Sequence, residues 1–595
     1  MQRFQKFAFL ATLFIILSLI PAQVMAQDVS RFEDSACVVA AMESSGLECG
    51  TLFVPESRSD ASSPVIELAV VIYPGTGETV AADPIIYLDG GPGGSALSGW
   101  EFWRTSALRA YGDIILIDQR GTGYSKPTLD CPEVNDFDLE NPTRSCRDRL
   151  LSEGINLGAY NSAENAADIA ALIDTLGLES ANLFGISYGT RLALTVMRDH
   201  PEKVRSVIID AVYPPNVNGL DEQVFYGNKA FEVLFDGCAA DTACNAAYPN
   251  LRDVFYNTVE TLNQNPLQLD QGEDGETSEF YGDDLVNQIF QTLYDTNSIP
   301  LLPGTIYAAS SGDPETYSNF GIDFVPEGSE DYGDGEDYGS YPGEAFETFI
   351  VEYLELDDVE AWYELQNTLD EDAYFALFDE VFSSDAFLDF TAEYLELESA
   401  DAAADALNNL SSDEFDTLVN EMQGFSEDYG DYGDYGESDE DAIVVDGNSE
   451  GMYNSVECGE DYPFNSVEAT EALSAEVNPI LRDSLLISVY QLYDDCELWS
   501  VPAQPALENE PVVSDIPTLV LSGQYDPITP PEWGDIAAES LSNSFAYTFP
   551  AMGHGSVDTR ECPTAIALEF LNTPDAEPDS NCIAGMPGPA FYTGN

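Results

Sequence analysis

Three residues, in the order serine, aspartate, histidine, define the chemistry open to this chain. Ser187 stands in Gly185-Ile-Ser-Tyr-Gly189, between an apolar run ending at Ile186 and a helical pattern that covers Leu192 to Met197. A strand that reverses sharply into a helix leaves no room for a Cβ beside the turn. Glycine meets that need, and the serine between the glycines is pushed into a strained conformation with its Oγ above the sheet edge. The free N–H groups and positive dipole end of the helix then point to where an oxyanion would form. A chance G-x-S-x-G in a Gly-rich chain is the competing reading, and the flanking strand and helix weigh against it.

A serine hydroxyl needs a base, and the chain has 2 histidines. His200, in Asp-His-Pro-Glu where the elbow helix ends, has a proline neighbour and lies away from the strand ends, so it reads as structural. His554, in Ala551-Met-Gly-His-Gly555 after the strand-like run Ser544 to Phe549, is left as general base. Asp526 follows the strand Ile516 to Gly523 and is the candidate acid. Asp210, at the end of the run from Val204, competes with it, since an acid can reach the histidine from a neighbouring strand end; the strand-to-turn context favours Asp526. The stretch Pro84 to Gly94 is a buried strand emptying into four glycines around a proline. Such a loop suits close backbone approach, with the Gly91 N–H as first choice and Gly90 as second for an oxyanion donor beside Tyr188 N–H.

The elements that must position these residues alternate along the chain. Strand-like runs cover Thr51 to Val54, Val65 to Tyr73, Asp113 to Asp118 and Val204 to Asp210, and Ala163 to Leu176 has helical periodicity. This alternation predicts an α/β chain with a mostly parallel sheet and helices on both faces, and the order Ser, Asp, His is that of the α/β-hydrolase fold. From about residue 214 to 510 the pattern becomes amphipathic and helical, as in Glu222 to Phe235, Asp283 to Tyr294 and Val359 to Phe382, with few strands. It reads as a lid inserted between a core of 27–213 and its continuation at 511–595. Within it, residues 326–343 and 426–441 repeat Asp-Tyr-Gly with extra carboxylates and bury too little apolar area to offset ordering entropy, so they read as flexible acidic loops. Calcium is the sharper alternative there, but neither stretch has EF-hand spacing.

Composition narrows the setting. The 595 residues include 109 acidic and 19 basic side chains, a formal charge of −90, which argues against nucleic acid and against an anionic membrane surface. Arg3 and Lys6 precede an apolar run from Phe7 to about Ile20, and Val24-Met-Ala26 supplies small residues, the pattern of a signal peptide (1–26) cleaved after Ala26. That run is shorter than the roughly 20 residues that span a bilayer. No stable membrane insertion is expected after its removal, and the mature protein is expected to be secreted or periplasmic. The 10 cysteines fit an oxidising compartment, and their order favours local pairs: Cys37–Cys49, Cys131–Cys146, Cys238–Cys244, Cys458–Cys496 and Cys562–Cys582. No CxxC-type cluster exists and only two histidines are present, so a zinc site is not expected.

Three motifs taken together, Gly90-Gly-Pro-Gly-Gly94, Asp118-Gln-Arg-Gly-Thr-Gly-Tyr-Ser125 and Gly185-Ile-Ser-Tyr-Gly189, resemble the prolyl and tripeptidyl aminopeptidase family of α/β-hydrolase serine peptidases. Gly523-x-x-Asp526-x-x-Thr-Pro530 is similar to the family's acid loop, and Cys238 to Cys244 and the C-terminal cysteines resemble the secreted tripeptidyl branch. The chain departs from the family at Asp89, where histidine is common. Arg120 in the second motif is read as a tie between loops, ahead of a substrate contact. The resemblance implies release of amino acids or short peptides from free peptide N-termini with no metal or organic cofactor. A secreted carboxylesterase using the same residues is the alternative, and a non-catalytic acidic surface protein is a third reading. An aminopeptidase must hold a terminal ammonium, and Glu222 at the lid entrance is a candidate carboxylate for it.

Overall fold

Successive residues of a strand point to opposite faces, so a strand buried on both sides needs apolar residues at nearly every position. Ala181–Ile186 meets that requirement. In the computed structural model Leu183 joins an apolar cluster on one face of the sheet, with Val207, Ile209 and Val520, while Phe184 joins a second on the other face, with Ile208, Leu519 and Phe570. The structure describes residues 30–593 apart from 40, 43–44, 78–79, 136–138, 140, 271–276 and 319–446. All described residues belong to one unit formed by 1–335 and 445–595. The signal segment, the acidic stretches 326–343 and 426–441 and the helical pattern of Val359 to Phe382 lie outside the described residues.

Nine strands form the main sheet: β1 (Arg31–Asp34), β2 (Glu48–Pro55), β3 (Val65–Tyr73), β4 (Ile85–Leu88), β5 (Ile114–Ile117), β6 (Ala181–Ile186), β7 (Val204–Asp210), β10 (Thr518–Gly523) and β11 (Ser544–Phe549). Their order is β1-β2-β3-β5-β4-β6-β7-β10-β11. The first three and the β3–β5 pair are antiparallel, and every pair from β5 to β11 is parallel. Leu88 aligns with Gly185, Ile186 with Asp210, Asp210 with Leu521, and Gly523 with Phe549. One sheet edge therefore emits the glycine loop, Ser187, Asp210 and the loops of Asp526 and His554, so residues hundreds of positions apart meet there. Helix α1 (Ser162–Thr175), capped by the Asn161 side chain on Glu164 N–H, and helix α2 (Tyr188–Asp199) bury one face, and the helix Glu561–Asn572 packs on the other.

Between β7 and β10 the described residues are mainly helical. They include α3 (Gly219–Ala240), α4 (Leu251–Gln264), α5 (Gly282–Thr292), α6 (Leu302–Ser310) and α7 (Pro479–Trp499). These helices bury a core of their own, in which Phe255 lies between Phe231 and Phe235 with ring centroids 5.4 and 5.3 Å away. Truncating Phe255 to alanine would cost about 3–5 kcal/mol by the usual cavity argument. The region also holds an antiparallel hairpin, β8 (Leu267–Asp270) and β9 (Thr277–Phe280), which the helical periodicity of the sequence did not indicate. All ten cysteines are paired, in the local order given above.

Candidate active site

Ser187 caps α2 with φ 53° and ψ −126°, a conformation open to a non-glycine residue only where its surroundings impose it. Gly189 shows the constraint: a Cβ there would lie 1.9 Å from the Leu88 carbonyl oxygen at the end of β4. The Tyr188 N–H is the first of the helix, with no intrahelical acceptor. Its side chain is fully buried, and its hydroxyl lies 2.9 Å from Ser162 Oγ, which ties the elbow to the start of α1.

The glycine loop packs directly on the serine. A Cβ at Gly90 would stand 2.9 Å from Ser187 Cβ. Gly90 N–H donates to Asp89 Oδ1 at 2.8 Å, whereas Gly91, at φ 99°, directs its N–H to no acceptor among the described residues. Asp89 also accepts the Tyr87 hydroxyl at 2.9 Å. Beyond the glycines, the buried Asp118 accepts Ser95 Oγ and Leu97 N–H (both 3.0 Å) and Tyr124 N–H (2.8 Å), binding two loops together. Burial, opposed by those three donors, pushes its carboxyl up to about 7. Arg120, wholly buried, donates to both oxygens of Asp168 and to the carbonyls of Glu56 and Ala159, so it ties loops and faces no solvent.

Asp526 and His554 meet at the far strands. Asp526 Oδ1 accepts the N–H groups of Ile528 (3.0 Å) and Thr529 (2.9 Å), which fixes the carboxylate in its own turn. Oδ2 lies 2.9 Å from His554 Nδ1 and accepts the Thr529 hydroxyl at 2.6 Å. His554 N–H donates to the Tyr294 carbonyl at 2.8 Å, and the two rings pack with centroids 4.9 Å apart. The loop after α5 therefore covers the imidazole. Asp210 does not take the Nδ1 position. Its Oδ2 accepts Ser556 N–H, Ser556 Oγ and Val557 N–H, just past the histidine. His200 is half-buried, and desolvation lowers its pKa.

Glu222 lies on α3, where its Oε2 accepts Trp533 Nε1 at 2.8 Å, and burial raises its pKa. No described contact joins it to Ser187 or His554. A different set of carboxylates carries no mark in the sequence. Glu457, Glu460 and Asp461 lie on one π-helical turn tied down by Cys458–Cys496, and all three are buried. Glu460 accepts Ser162 N–H and Oγ (2.6 and 2.7 Å) and approaches Arg191 Nε of the elbow helix at 3.4 Å. Asp461 Oδ2 accepts Leu220 N–H at 3.2 Å, while its Oδ1 has no hydrogen-bond partner among the described residues. Burial and then Asp461 push Glu457 up to about 8. Burial, and then Glu457 and Asp461, push the Tyr453 hydroxyl well above its ordinary range. Three acids within 457–461 would stand out in a neutral protein, but not among 109.

Cys131, Glu133 and Cys146 bring metal-type ligand atoms within 4.8 Å, but both sulfurs are consumed in a disulfide. Among the described residues, no helix is long and apolar enough to cross a membrane.

A strained serine turn after β6, an aspartate after β10 and a histidine after β11 on one edge of a mostly parallel sheet decide the architecture. The chain has the α/β-hydrolase fold. The alpha/beta hydrolase fold family matches residues 83–266 and the TAP-like protein family matches 484–582. The serine protease Hip1 of Mycobacterium tuberculosis is 28% identical over 245 residues, which are 36% of this chain and 46% of that protein. The tripeptidyl aminopeptidase of Streptomyces coelicolor is 27% identical over 216 residues (32% and 39%). The proline iminopeptidase of Arabidopsis thaliana is 28% identical over 211 residues (35% and 43%). The α/β-hydrolase thus spans less than half the length of each of these relatives.

Proposed function

We propose that this α/β-hydrolase is a secreted serine peptidase that removes amino acids or short peptides from free peptide N-termini. The observation that carries the reading is the Asp526–His554 pair at 2.9 Å on the sheet edge that also holds the strained Ser187. In this reading His554 Nε2 takes the Ser187 proton as Oγ attacks the substrate carbonyl, and Asp526 on Nδ1 holds the required tautomer. The tetrahedral oxyanion is met by Tyr188 N–H and Gly91 N–H. His554 then protonates the departing amine, and water releases the acyl group by the same route in reverse.

The exopeptidase part rests on charge. A desolvated ammonium needs a carboxylate, and the buried turn sets Glu460 and Asp461, beside Glu457, against Arg191, with Asp461 Oδ1 left without a hydrogen-bond partner among the described residues. This favours Glu457 and Asp461 over Glu222, whose carboxylate is engaged by Trp533. Five disulfides support an oxidising compartment, and the N-terminal apolar segment supports export. The test is kcat/KM on peptide amides with free and N-acetylated termini, beside an aryl ester. Acetylation should cost at least about tenfold. Equal turnover of both peptides, or cleavage of the ester alone, would move the assignment to a carboxylesterase.

A further inference from the structure

Asp210 is placed unlike any other carboxylate of the sheet edge. Its main-chain carbonyl accepts the Ser187 N–H at 3.1 Å, and in register it faces Ile186 of β6 on one side and Leu521 of β10 on the other. Its Oδ2 takes three donors from the turn behind the histidine: Ser556 N–H at 2.7 Å, Ser556 Oγ at 2.9 Å and Val557 N–H at 2.9 Å. One residue therefore joins the backbone of the nucleophile to the loop of the base. Its Oδ1 is fully buried and has no hydrogen-bond partner among the described residues, an arrangement that costs free energy unless the charge is used. The field of that carboxylate reaches His554.

We propose that Asp210 is a positioning residue of the Ser187 site, fixing the His554 turn against the nucleophile strand and lending a second negative charge to the imidazolium formed when His554 takes the Ser187 proton. The proposal rests on the Ser187–His554–Asp526 reading. The step it assists is a single proton transfer from Ser187 Oγ to His554 Nε2, with Asp210 ionised before and after. Three donors on one oxygen favour the ionised form, against the burial that raises its pKa. Charged or titratable groups that face His554 include Asp526 from the loop after β10 and the Tyr294 phenol, which burial keeps neutral. Asp558 follows in the same loop but is turned to the Ser106 hydroxyl at 2.5 Å.

The experiment is the pH dependence of Ser187 labelling by a fluorophosphonate, which needs no knowledge of the natural substrate. Asp210→Asn keeps an acceptor for the Ser556 and Val557 N–H groups and removes only the charge. Its acidic limb should move to lower pH by about one unit, with labelling at the plateau about tenfold slower. Ser556→Ala removes one donor from Oδ2, leaves the carboxylate less neutralised, and should move the limb upward by a fraction of a unit, the opposite sign. A limb that stays put in both variants, while they melt like the wild type, overturns the proposal. If Asp210→Asn does not fold, the upward shift in Ser556→Ala still decides. Wild-type protein that takes no label sinks the triad reading and this proposal with it, whereas a labelled wild type with unmoved limbs sinks this proposal alone.

Discussion

Asp526 Oδ2 lies 2.9 Å from His554 Nδ1, and the same oxygen is held by the Thr529 hydroxyl. The carboxylate beside the His554 imidazole is thus itself oriented, by three donors from residues two and three positions on. Asp526→Asn should leave the fold intact and lower kcat/KM by about 10³ to 10⁴, because an amide in that place favours the wrong tautomer. Thr529→Val, which removes one of the donors, should cost about tenfold. Asp210→Asn should fall nearer Thr529→Val than Asp526→Asn. A larger loss for Asp210→Asn than for Asp526→Asn would reassign the acid.

The contact between Gly90 and Ser187 makes a separate prediction about the oxyanion loop. With a Cβ only 2.9 Å from Ser187 Cβ, Gly90→Ala must displace either the loop or the nucleophile. Turnover should drop by about a hundredfold, and the melting temperature measured beside it should show that the protein stays folded at the assay temperature. Wild-type turnover in that variant would mean that Gly91 N–H is not an oxyanion donor.

Much of this arrangement is legible in the sequence, for a physical reason. Parallel strands buried on both faces must be apolar at almost every position, so Ala181–Ile186, Val204–Asp210 and Thr518–Gly523 announce themselves, and the residues just past them inherit the sheet edge. With two histidines, the choice of base was narrow. What stays hidden is long-range pairing of polar groups. Glu460 meets Ser162 across 298 residues, and neither local pattern nor composition marks that meeting. The place of Glu222 in the sequence makes it a candidate, whereas its partner Trp533 comes from 311 residues further on. The β8–β9 hairpin is missed for a different reason: each strand has 4 residues, too few for a period of two to stand out from helical neighbours.

The acidic turn should make stability depend on pH in a defined direction. Native Glu457 keeps its proton up to about 8, against an ordinary value of 4.5. In that window the unfolded chain binds fewer protons than the native one, so stability falls as pH rises through it. Glu457→Gln removes the titration. Its melting temperature, measured by calorimetry from pH 5 to 8, should therefore decline less than that of the wild type, and the two curves should separate in favour of the variant toward pH 8. Parallel curves would mean that Glu457 is ionised in the native state throughout.

Asp461 carries the last prediction, which concerns what the turn holds. Its Oδ1 is buried without a hydrogen-bond partner among the described residues while Oδ2 is bonded to Leu220 N–H, so Asp461→Asn keeps the structural bond and removes the charge. A charge-assisted hydrogen bond contributes about 1.5 to 3 kcal/mol, or roughly ten- to a hundredfold in kcat/KM. If the turn receives a peptide's ammonium group, that loss should appear on peptides with a free N-terminus and be nearly absent on their N-acetylated counterparts, narrowing the gap between them. Glu222→Gln should change neither, because its amide oxygen still accepts from Trp533 Nε1. An equal loss on both substrates for Asp461→Asn would make the turn a structural brace of the elbow helix. A selective loss for Glu222→Gln instead would return the ammonium to α3.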